Sequence, residues 1–288
     1  MQTLEDFFRF MDELATVRRT VTAHFIQHTE TPFHTESLAK ALQTIDELPG
    51  DGEEKQLEAA GRKVTVTLDY ERTELLKDIA FLEQIGRPGE AERGSDAFLS
   101  KFNDDFENRV AEVVHFLSKR RFETFVSDRD GTVNNYCGRY RSSHQSVYNA
   151  YYLSRFATAA VSHPVLLTSA PLQNHGLVDL SAMPERTIHY AGSKGREYRS
   201  IHGVAGRMAI PHEQQEALAE LNRRIGDLLA QDEYRVFGLI GSAVQYKFGQ
   251  TTVSRQDIHG SIPRERSAAF LETVTTVARD LDSKGTVF

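Results

Sequence analysis

The chain has 288 residues, of which 40% are hydrophobic, enough for one large domain or two to three smaller domains with real cores. A formal net charge of −7 argues against a broad basic surface for nucleic acid, and no apolar run reaches the roughly 20 residues that a membrane span needs. The single cysteine, Cys137, excludes an internal disulfide framework and indicates a reducing, cytoplasmic compartment.

Residues 1–120 are predicted to form a helical domain that carries no catalytic motif. Two amphipathic helices stand out by their 3.6-residue periodicity. The first stripe comprises Leu4, Phe7, Phe8, Met11, Leu14, Val17 and Val21, and the second comprises Leu99, Phe102, Phe106, Val110, Val113 and Leu117. We expect this domain to pack on the catalytic domain, to mediate homo-oligomer formation or to cover the site.

Between those two stripes the sequence pattern is less uniform. Thr35 is a suitable N-cap for another helix, which Pro49-Gly50 would stop. Residues 57–85 leave helix and strand open, because residues 64–68 (VTVTL) alternate like a strand. Residues 86–94 (GRPGEAERG) are predicted to be a loop.

The main chemical signal of the chain is residues 122–133, FETFVSDRDGTV. An apolar, β-prone run ends in Asp128 and Asp130, which a strand directs to the same side because its side chains alternate. Gly131 allows the chain to turn sharply just beyond them. Paired acids at the carboxyl end of a strand are typical of the chemistry of an open α/β sheet.

This D-x-D-G stretch has two other interpretations, a calcium-binding loop and an ordinary acidic turn. A calcium-binding EF-hand loop needs Gly at its sixth position and Glu at its twelfth, where this chain has Val133 and Arg139. That interpretation is therefore rejected. An ordinary acidic turn after a strand stays as the plain alternative.

The segment DRDGT resembles the first motif, DxDGT, of the haloacid dehalogenase-like phosphatases. The resemblance implies that Asp128 is the nucleophile that becomes an aspartyl phosphate, and that Asp130 is the general acid and base. It also implies Mg²⁺, held in part by the same two carboxylates, to neutralise charge between nucleophile and phosphate.

The segment after motif one is a polar loop followed by an alternation of helix and strand. Arg139 and Arg141 of the loop are candidates for binding an anionic substrate, although a solvated loop is an equal alternative, and Cys137 is expected to be inert. Residues 147–160 are predicted to be a crossover helix and residues 164–167 the next strand. The following TSAP resembles the family's second motif, with Thr168 as the phosphate-binding hydroxyl and Ser169 as a second candidate.

The region after the third predicted strand resembles the α/β cap of trehalose-6-phosphate phosphatase-like sugar phosphatases. HYAGSKGRE (189–197) would lead into this cap, and AVQYKFGQTTVSRQD resembles their pattern VExKxxSxxxHYR. The resemblance places Gln245, Lys247, Thr251 and Arg255 against the sugar; the alternative is an exposed strand face with alternating polar residues. A helix over residues 213–229, strands over 234–240, 243–248 and 251–256, and a helix over 263–281 are predicted.

The family's third motif is a lysine, and Lys284 in the segment DSKG fits it best, with Lys194 and Lys247 as alternatives. The stripe of the helix before it is predicted to be Ala268, Leu271, Val274, Val277 and Leu281. The sequence ends at Phe288, before the acidic fourth motif that completes the family's magnesium site. The expectation is that the chain is a fragment, or that magnesium is held in an unusual way.

The sequence therefore predicts an α/β fold: a haloacid dehalogenase-like Rossmannoid core with an α/β cap, preceded by a helical domain. The expected limits are residues 1–120 for the helical domain, 121–191 and 274–288 for the core, and 192–273 for the cap. The expected function is Mg²⁺-dependent hydrolysis of a sugar phosphate, such as trehalose 6-phosphate, catalysed by Asp128, Asp130, Thr168 and Lys284. The alternative is an inactive domain that binds a sugar phosphate; neither nucleic acid nor membrane is an expected partner.

Overall fold

The structure is a computed structural model that describes residues 1–27, 29, 34–85, 100 and 105–286. Its helices are α1 (Leu4–Gln27), α2 (His34–Asp46), α3 (Asp69–Ile85), α4 (Phe106–Leu117), α5 (Val147–Ala159), α6 (Leu177–Leu180), α7 (His212–Leu229) and α8 (Arg264–Leu281). Its strands are β1 (Gly50–Asp51), β2 (Glu54–Ala59), β3 (Arg62–Thr67), β4 (Thr124–Asp128), β5 (His163–Leu167), β6 (His189–Gly192), β7 (Glu197–Arg199), β8 (Ala205–Arg207), β9 (Val244–Lys247) and β10 (Gln250–Val253).

The N-terminal part is mainly helical, as predicted, but it also contains a small antiparallel sheet. The apolar stripe of α1 is buried at Leu4, Phe7, Phe8, Met11, Leu14 and Val21. The alternating residues 64–68 lie largely in strand β3, which pairs with β2, so the ambiguity over residues 57–85 resolves into a hairpin followed by α3. Helix α2 begins at His34, so Thr35 lies inside it and is not its N-cap. The predicted loop 86–94 lies outside the described residues.

The main sheet has the strand order β4-β5-β6-β7-β8. Strands β4, β5 and β6 are parallel, whereas β7 and β8 continue the sheet in antiparallel fashion. Helix α5 makes the crossover between β4 and β5, as expected for a parallel pair. The predicted crossover helix and both predicted core strands are therefore confirmed.

Helix α5 lies between two hydrophobic clusters. Val147 and Tyr151 pack with α1, α2, α3 and the segment around Phe237. Ala150 and Leu153, on another face of the helix, pack against the sheet with Leu166 and Tyr190. The N-terminal helices and the sheet are thus joined through one helix that buries both sides.

Three details of the pattern were predicted wrongly. The segment 234–240 is a 3₁₀ turn over Arg235–Gly238 and not a strand, because Val236, Phe237, Leu239 and Ile240 are all buried without alternation. Helix α8 buries Ser267 and Phe270, while Ala268 and Leu271 of the predicted stripe are exposed. Helix α4 forms over Phe106–Leu117, but its apolar stripe faces solvent, with Val113 55% exposed; Leu99 and Phe102 lie outside the described residues.

The architecture confirms the predicted fold class: an α/β core and cap of the haloacid dehalogenase-like kind behind an N-terminal helical region. Helix α7 and the β9–β10 hairpin, also predicted, form the cap side of the molecule. The residue limits assigned to the three domains stay a prediction. Across the described part of the chain, none of the helices is both long enough and apolar enough to cross a membrane.

Candidate active site

The motif-one carboxylates and the motif-two hydroxyl lie at the carboxyl ends of two adjacent parallel strands, β4 and β5. Asp128 is the last residue of β4 and is in register with Leu167, the last residue of β5. Thr168 follows immediately and is buried. The parallel register therefore brings motif one and motif two to the same edge of the sheet, where α/β folds bind ligands.

Asp130 is in an environment that favours its protonated form. Burial raises the pKa of its carboxyl and the nearby charge of Asp128 adds to this, whereas Arg129 and the Thr168 hydroxyl act in the opposite direction without cancelling it. A carboxyl with a raised pKa is suited to give a proton to a leaving group. The exposed Asp128, one position from Arg129, provides the second carboxylate of the pair.

Arg129 is a buried cation between the two acids, and the sequence analysis gave it no role. Its guanidinium pairs with Asp130, donates a 3.1 Å hydrogen bond to the Ser143 hydroxyl and contacts the Ser143 carbonyl. The face of the Tyr140 ring lies 5.9 Å away. A cationic residue between the two aspartates was the available sequence signal for this buried ion pair.

The turn after β6 brings Lys194 to Thr168. The Lys194 N–H donates to the Thr168 carbonyl over 2.9 Å, and the Ser193 N–H donates to the Ala170 carbonyl over 2.6 Å. Lys194 has a positive φ of 60°, a strained conformation for a residue with a side chain. The same turn holds the cap, because the Phe248 N–H donates to the Ser193 hydroxyl over 2.9 Å.

A cavity of about 310 Å³ lies between the loop after β5, strands β7 and β8, helix α7 and the β9–β10 hairpin, and its lining includes none of Asp128, Asp130, Thr168 and Lys194. Lys247 of β9 lines it and is itself buried, and burial lowers its pKa, followed by repulsion from Lys194. Polar groups from four segments complete the wall: Gln173, Asn174, Glu197, Arg207, Gln215 and Asn222. A pocket with cations and hydroxyl-binding groups is suited to a phosphorylated sugar.

The other predicted sugar ligands are divided by the hairpin register. Gln245 is on the same face of β9 as Lys247, because side chains two apart share a face. Thr251 of β10 stands opposite Tyr246, on the other face, and its hydroxyl donates to Asn222 in the cavity wall. Arg255 is exposed beyond the end of β10.

Two further predicted ligands face the N-terminal helices. Arg139 is buried and donates to both oxygens of Glu71 on α3, at 2.8 and 2.9 Å. Arg141 stacks on Phe8 of α1, with its guanidinium 4.7 Å from the ring centre. Their assignment to the substrate stays a prediction.

Lys284 and Cys137 complete the predicted set. Lys284 lies exposed in the turn after α8, whereas the backbone of Lys194 is beside motif two. The role of Lys284 as the third-motif lysine therefore stays a prediction as well. Burial raises the pKa of the Cys137 thiol to about 12, and nearby Glu71 adds to the shift. The thiol is therefore protonated, as expected for an inert cysteine.

The donor atoms of the site fit a hard divalent cation. Asp128 and Asp130 offer carboxylate oxygens, and Mg²⁺ binds in proteins through one or two carboxylates together with water and substrate phosphate. Within the described ranges, no three His, Cys, Asp or Glu side chains cluster to hold a metal alone. The pair is thus compatible with a metal that also contacts the substrate.

Comparison with family models covers almost the whole chain. A model described as "Trehalose-6-phosphate phosphatase, C-terminal" matches residues 125–288. A second, described as "Trehalose-6-phosphate phosphatase N-terminal helical bundle domain", matches residues 3–117. The first match begins at β4, and the second covers α1 to α4.

Curated relatives agree with these matches. The chain is 28% identical over 299 residues to "Alpha,alpha-trehalose-phosphate synthase [UDP-forming] 2" of Caenorhabditis elegans, covering 99% of this chain and 24% of that protein. It is 27% identical over 302 residues to "Trehalose-phosphatase" of C. elegans, covering 95% of this chain and 68% of the relative. It is 26% identical over 293 residues to "Trehalose-phosphatase" of Brugia malayi, covering 93% of this chain and 60% of the relative. The chain therefore spans about a quarter of the synthase and about two thirds of the phosphatases.

Proposed function

Because the chain belongs to the trehalose-6-phosphate phosphatase family, we propose that it hydrolyses trehalose 6-phosphate or a related glycosyl phosphate. The observation that carries this proposal is the meeting of Asp128, Asp130 and Thr168 at the ends of two parallel strands. Relatives named trehalose-phosphatase support the substrate class.

In the proposed mechanism, a carboxylate oxygen of Asp128 attacks phosphorus and the bond from phosphorus to the sugar oxygen breaks. Asp130 gives its proton to that oxygen, which leaves as the sugar hydroxyl. Asp130, now a carboxylate, takes a proton from water, whose oxygen attacks the phosphorus of the aspartyl phosphate. This second step releases phosphate and restores both carboxyl groups.

A bound Mg²⁺ would neutralise charge between the Asp128 carboxylate and the phosphate oxygens, with Asp128 and Asp130 as its protein ligands. The remaining phosphate contacts fall to Thr168 and a lysine. Lys194 is favoured because its backbone follows β6 next to Thr168, to whose carbonyl its N–H donates, and Lys284 is the alternative that the sequence motif suggests. Substitution of each lysine distinguishes the two assignments.

The cap side of the cavity is proposed to hold the sugar. Lys247 of β9 and Asn222 of α7 line it, so more than one hydroxyl of a sugar ring can be bound at once, whereas Glu197 already accepts from the Leu172 N–H and the Ser193 hydroxyl. A site built for hydroxyls rejects analogues that lack them, because its buried polar groups are then left unpaired. Gln245 and Thr251 stay candidates for the same role, whereas Arg255, exposed and absent from the cavity lining, is the weakest candidate of the set and is expected to contribute little.

The test is phosphate release from trehalose 6-phosphate and from glycosylglycerol phosphates, with and without Mg²⁺, using the full chain. Asp128→Asn is expected to lower turnover by at least about a thousandfold, because it removes the nucleophile. Asp280→Asn, on the exposed face of α8, is the matched control and is expected to retain full activity.

Two results would count against the enzyme. Turnover that survives in Asp128→Asn would exclude Asp128 as the nucleophile. Binding of trehalose 6-phosphate without any turnover by the unmutated chain would favour the alternative, a domain that only binds the sugar phosphate.

A further inference from the structure

We infer that helix α3 of the N-terminal region positions the loop after β4, which carries Asp130 close to Asp128, with Tyr70 as the central positioning residue. The inference deepens the proposed function and rests on it for its catalytic consequence. It assigns to the N-terminal helices a part in the reaction that the description of their family match does not mention.

The first step of the argument is the bridge that Tyr70 makes across the loop. The Asn134 side-chain amide donates a 2.9 Å hydrogen bond to the Tyr70 hydroxyl. That hydroxyl in turn donates to the His144 carbonyl over 2.9 Å. All three residues are buried, and burial raises the pKa of Tyr70 well above its ordinary value, so the hydroxyl keeps its proton. One hydroxyl therefore joins both ends of residues 134–144.

The second step links Asn134 directly to motif one. The Gly131 N–H donates to the Asn134 carbonyl over 2.7 Å, and the Asn134 N–H donates to the Arg129 carbonyl over 2.9 Å. A shift of Asn134 therefore moves Arg129 and Gly131, the two residues that flank Asp130. Small displacements of catalytic groups reduce rates strongly, because reacting atoms must stay aligned.

The third step is that the same helix presents three carboxylates, spread over about two helical turns, to the loop and to the start of α5. Glu71 accepts from Arg139 and from the Ser142 hydroxyl at 2.5 Å, Glu74 accepts from Asn135 at 2.7 Å, and Asp78 accepts from the Val147 N–H at 2.7 Å. The spacing of 71, 74 and 78 places them on one face of α3.

Burial makes this face specific for the loop. The exposed fractions of Glu71, Glu74 and Asp78 are 0%, 1% and 0%. Buried carboxylates are costly unless they are paired or hydrogen-bonded, and here the loop supplies partners to Glu71 and Glu74, while Arg18 of α1 and the first residue of α5 supply those of Asp78. The helix and the loop therefore hold each other in one arrangement.

The experiment uses Tyr70→Phe in the full chain, which removes a single oxygen and keeps the ring. Tyr151→Phe is the matched control: Tyr151 is also buried, and its hydroxyl accepts from Arg155 on its own helix α5. Two readouts are taken, namely steady-state kinetics with trehalose 6-phosphate and hydrogen exchange at the Gly131 and Asn134 amides.

Tyr70→Phe is expected to lower kcat about tenfold with KM within about twofold, because the loss of a buried hydrogen bond affects alignment and not the sugar contacts. Exchange at the Gly131 and Asn134 amides is expected to rise by about the same factor. Tyr151→Phe is expected to change neither quantity by more than about twofold.

Unchanged exchange at Gly131 and Asn134 in Tyr70→Phe, or an equal rise in Tyr151→Phe, would overturn the inference. If Tyr70→Phe does not fold, Asn134→Ala removes the other partner and must raise Gly131 exchange in the same way. A chain without phosphatase activity would refute the proposed function alone, since the exchange measurement tests the positioning independently.

Discussion

The Lys194 N–H donates a 2.9 Å hydrogen bond to the carbonyl of Thr168, which places a cationic residue directly at the end of the second core strand. Lys194 also lies close enough to Lys247 to help lower the pKa of that amine. The two cations are thus close enough to repel each other, with Lys247 in the cavity wall proposed for the sugar. Such a pair is favourable only when an anion lies between or beside them.

Lys194→Met is therefore expected to lower kcat/KM for trehalose 6-phosphate by about 10- to 100-fold, as for loss of one charged hydrogen bond. Lys284→Met, in the exposed terminal turn, is expected to change it by less than about twofold. Steady-state phosphate release compares the two. A large loss in Lys284→Met with little loss in Lys194→Met would return the third-motif role to Lys284.

The cap cation should act mainly on substrate binding. Lys247→Met is expected to raise KM about tenfold, because the buried amine lines the cavity. Arg255→Met is expected to leave KM within about twofold, because that side chain is exposed outside the cavity. Initial rates over a range of substrate concentration separate the two variants, and equal KM values for both would contradict the proposed sugar pocket.

Gly192 is needed for the close approach of β6 to the loop after β5. A Cβ atom at this position would come within 2.7 Å of the Leu172 nitrogen, which belongs to the backbone and cannot rotate away. Gly192→Ala is expected to lower the free energy of unfolding by about 1–3 kcal/mol. Gly138→Ala is the control, because its Cβ would meet only a side-chain carbon at 3.7 Å. Urea unfolding measures the free energy of unfolding of both variants. Equal values would show that the loop after β5 moves to make room for the added Cβ atom at position 192.

The buried ion pair between Arg18 and Asp78 joins α1 to α3 at 2.7 Å with both side chains fully buried. Arg18→Met is expected to cost about 3–5 kcal/mol in unfolding free energy, because it leaves Asp78 buried without its cation. Arg72→Met breaks the exposed pair with Asp46 and should cost less than about 1 kcal/mol. A similar small cost for both variants in urea unfolding would mean that the buried pair is not intact in solution.

Asp78 also predicts a pH dependence of stability. Burial raises its pKa to about 6 in spite of Arg18, whereas the pKa of an Asp in an unfolded chain is about 4. The folded state therefore binds the proton more tightly, so this contribution is fully present below about pH 4 and is lost as the pH rises through about 6. The unfolding free energy of the unmutated chain relative to Asp78→Asn should thus fall by up to about 3 kcal/mol between pH 4 and 7. A constant difference across that range, measured by urea unfolding, would disprove the raised pKa.

Local pattern was sufficient for much of the fold. The stripe of α1, the strands β4 and β5, the crossover helix and the α7 helix follow from periodicity and turn residues, which depend only on near neighbours in the chain. The segment 234–240 failed for the converse reason. Its consecutive apolar residues satisfy a strand pattern, but the surrounding core buries all of them and leaves a 3₁₀ turn.

For the site, a strand that ends in D-x-D-G-T singled out Asp128 and Asp130, and the resemblance of TSAP to the family's second motif singled out Thr168; their catalytic roles stay predictions. The sequence could not rank Lys194, Lys247 and Lys284, since each lies in a plausible local setting. Nor could it show that Tyr70 bonds to Asn134, 64 positions away. Those relationships depend on the packing of distant segments, where strand register, buried charge and the space left by a glycine determine which side chains meet.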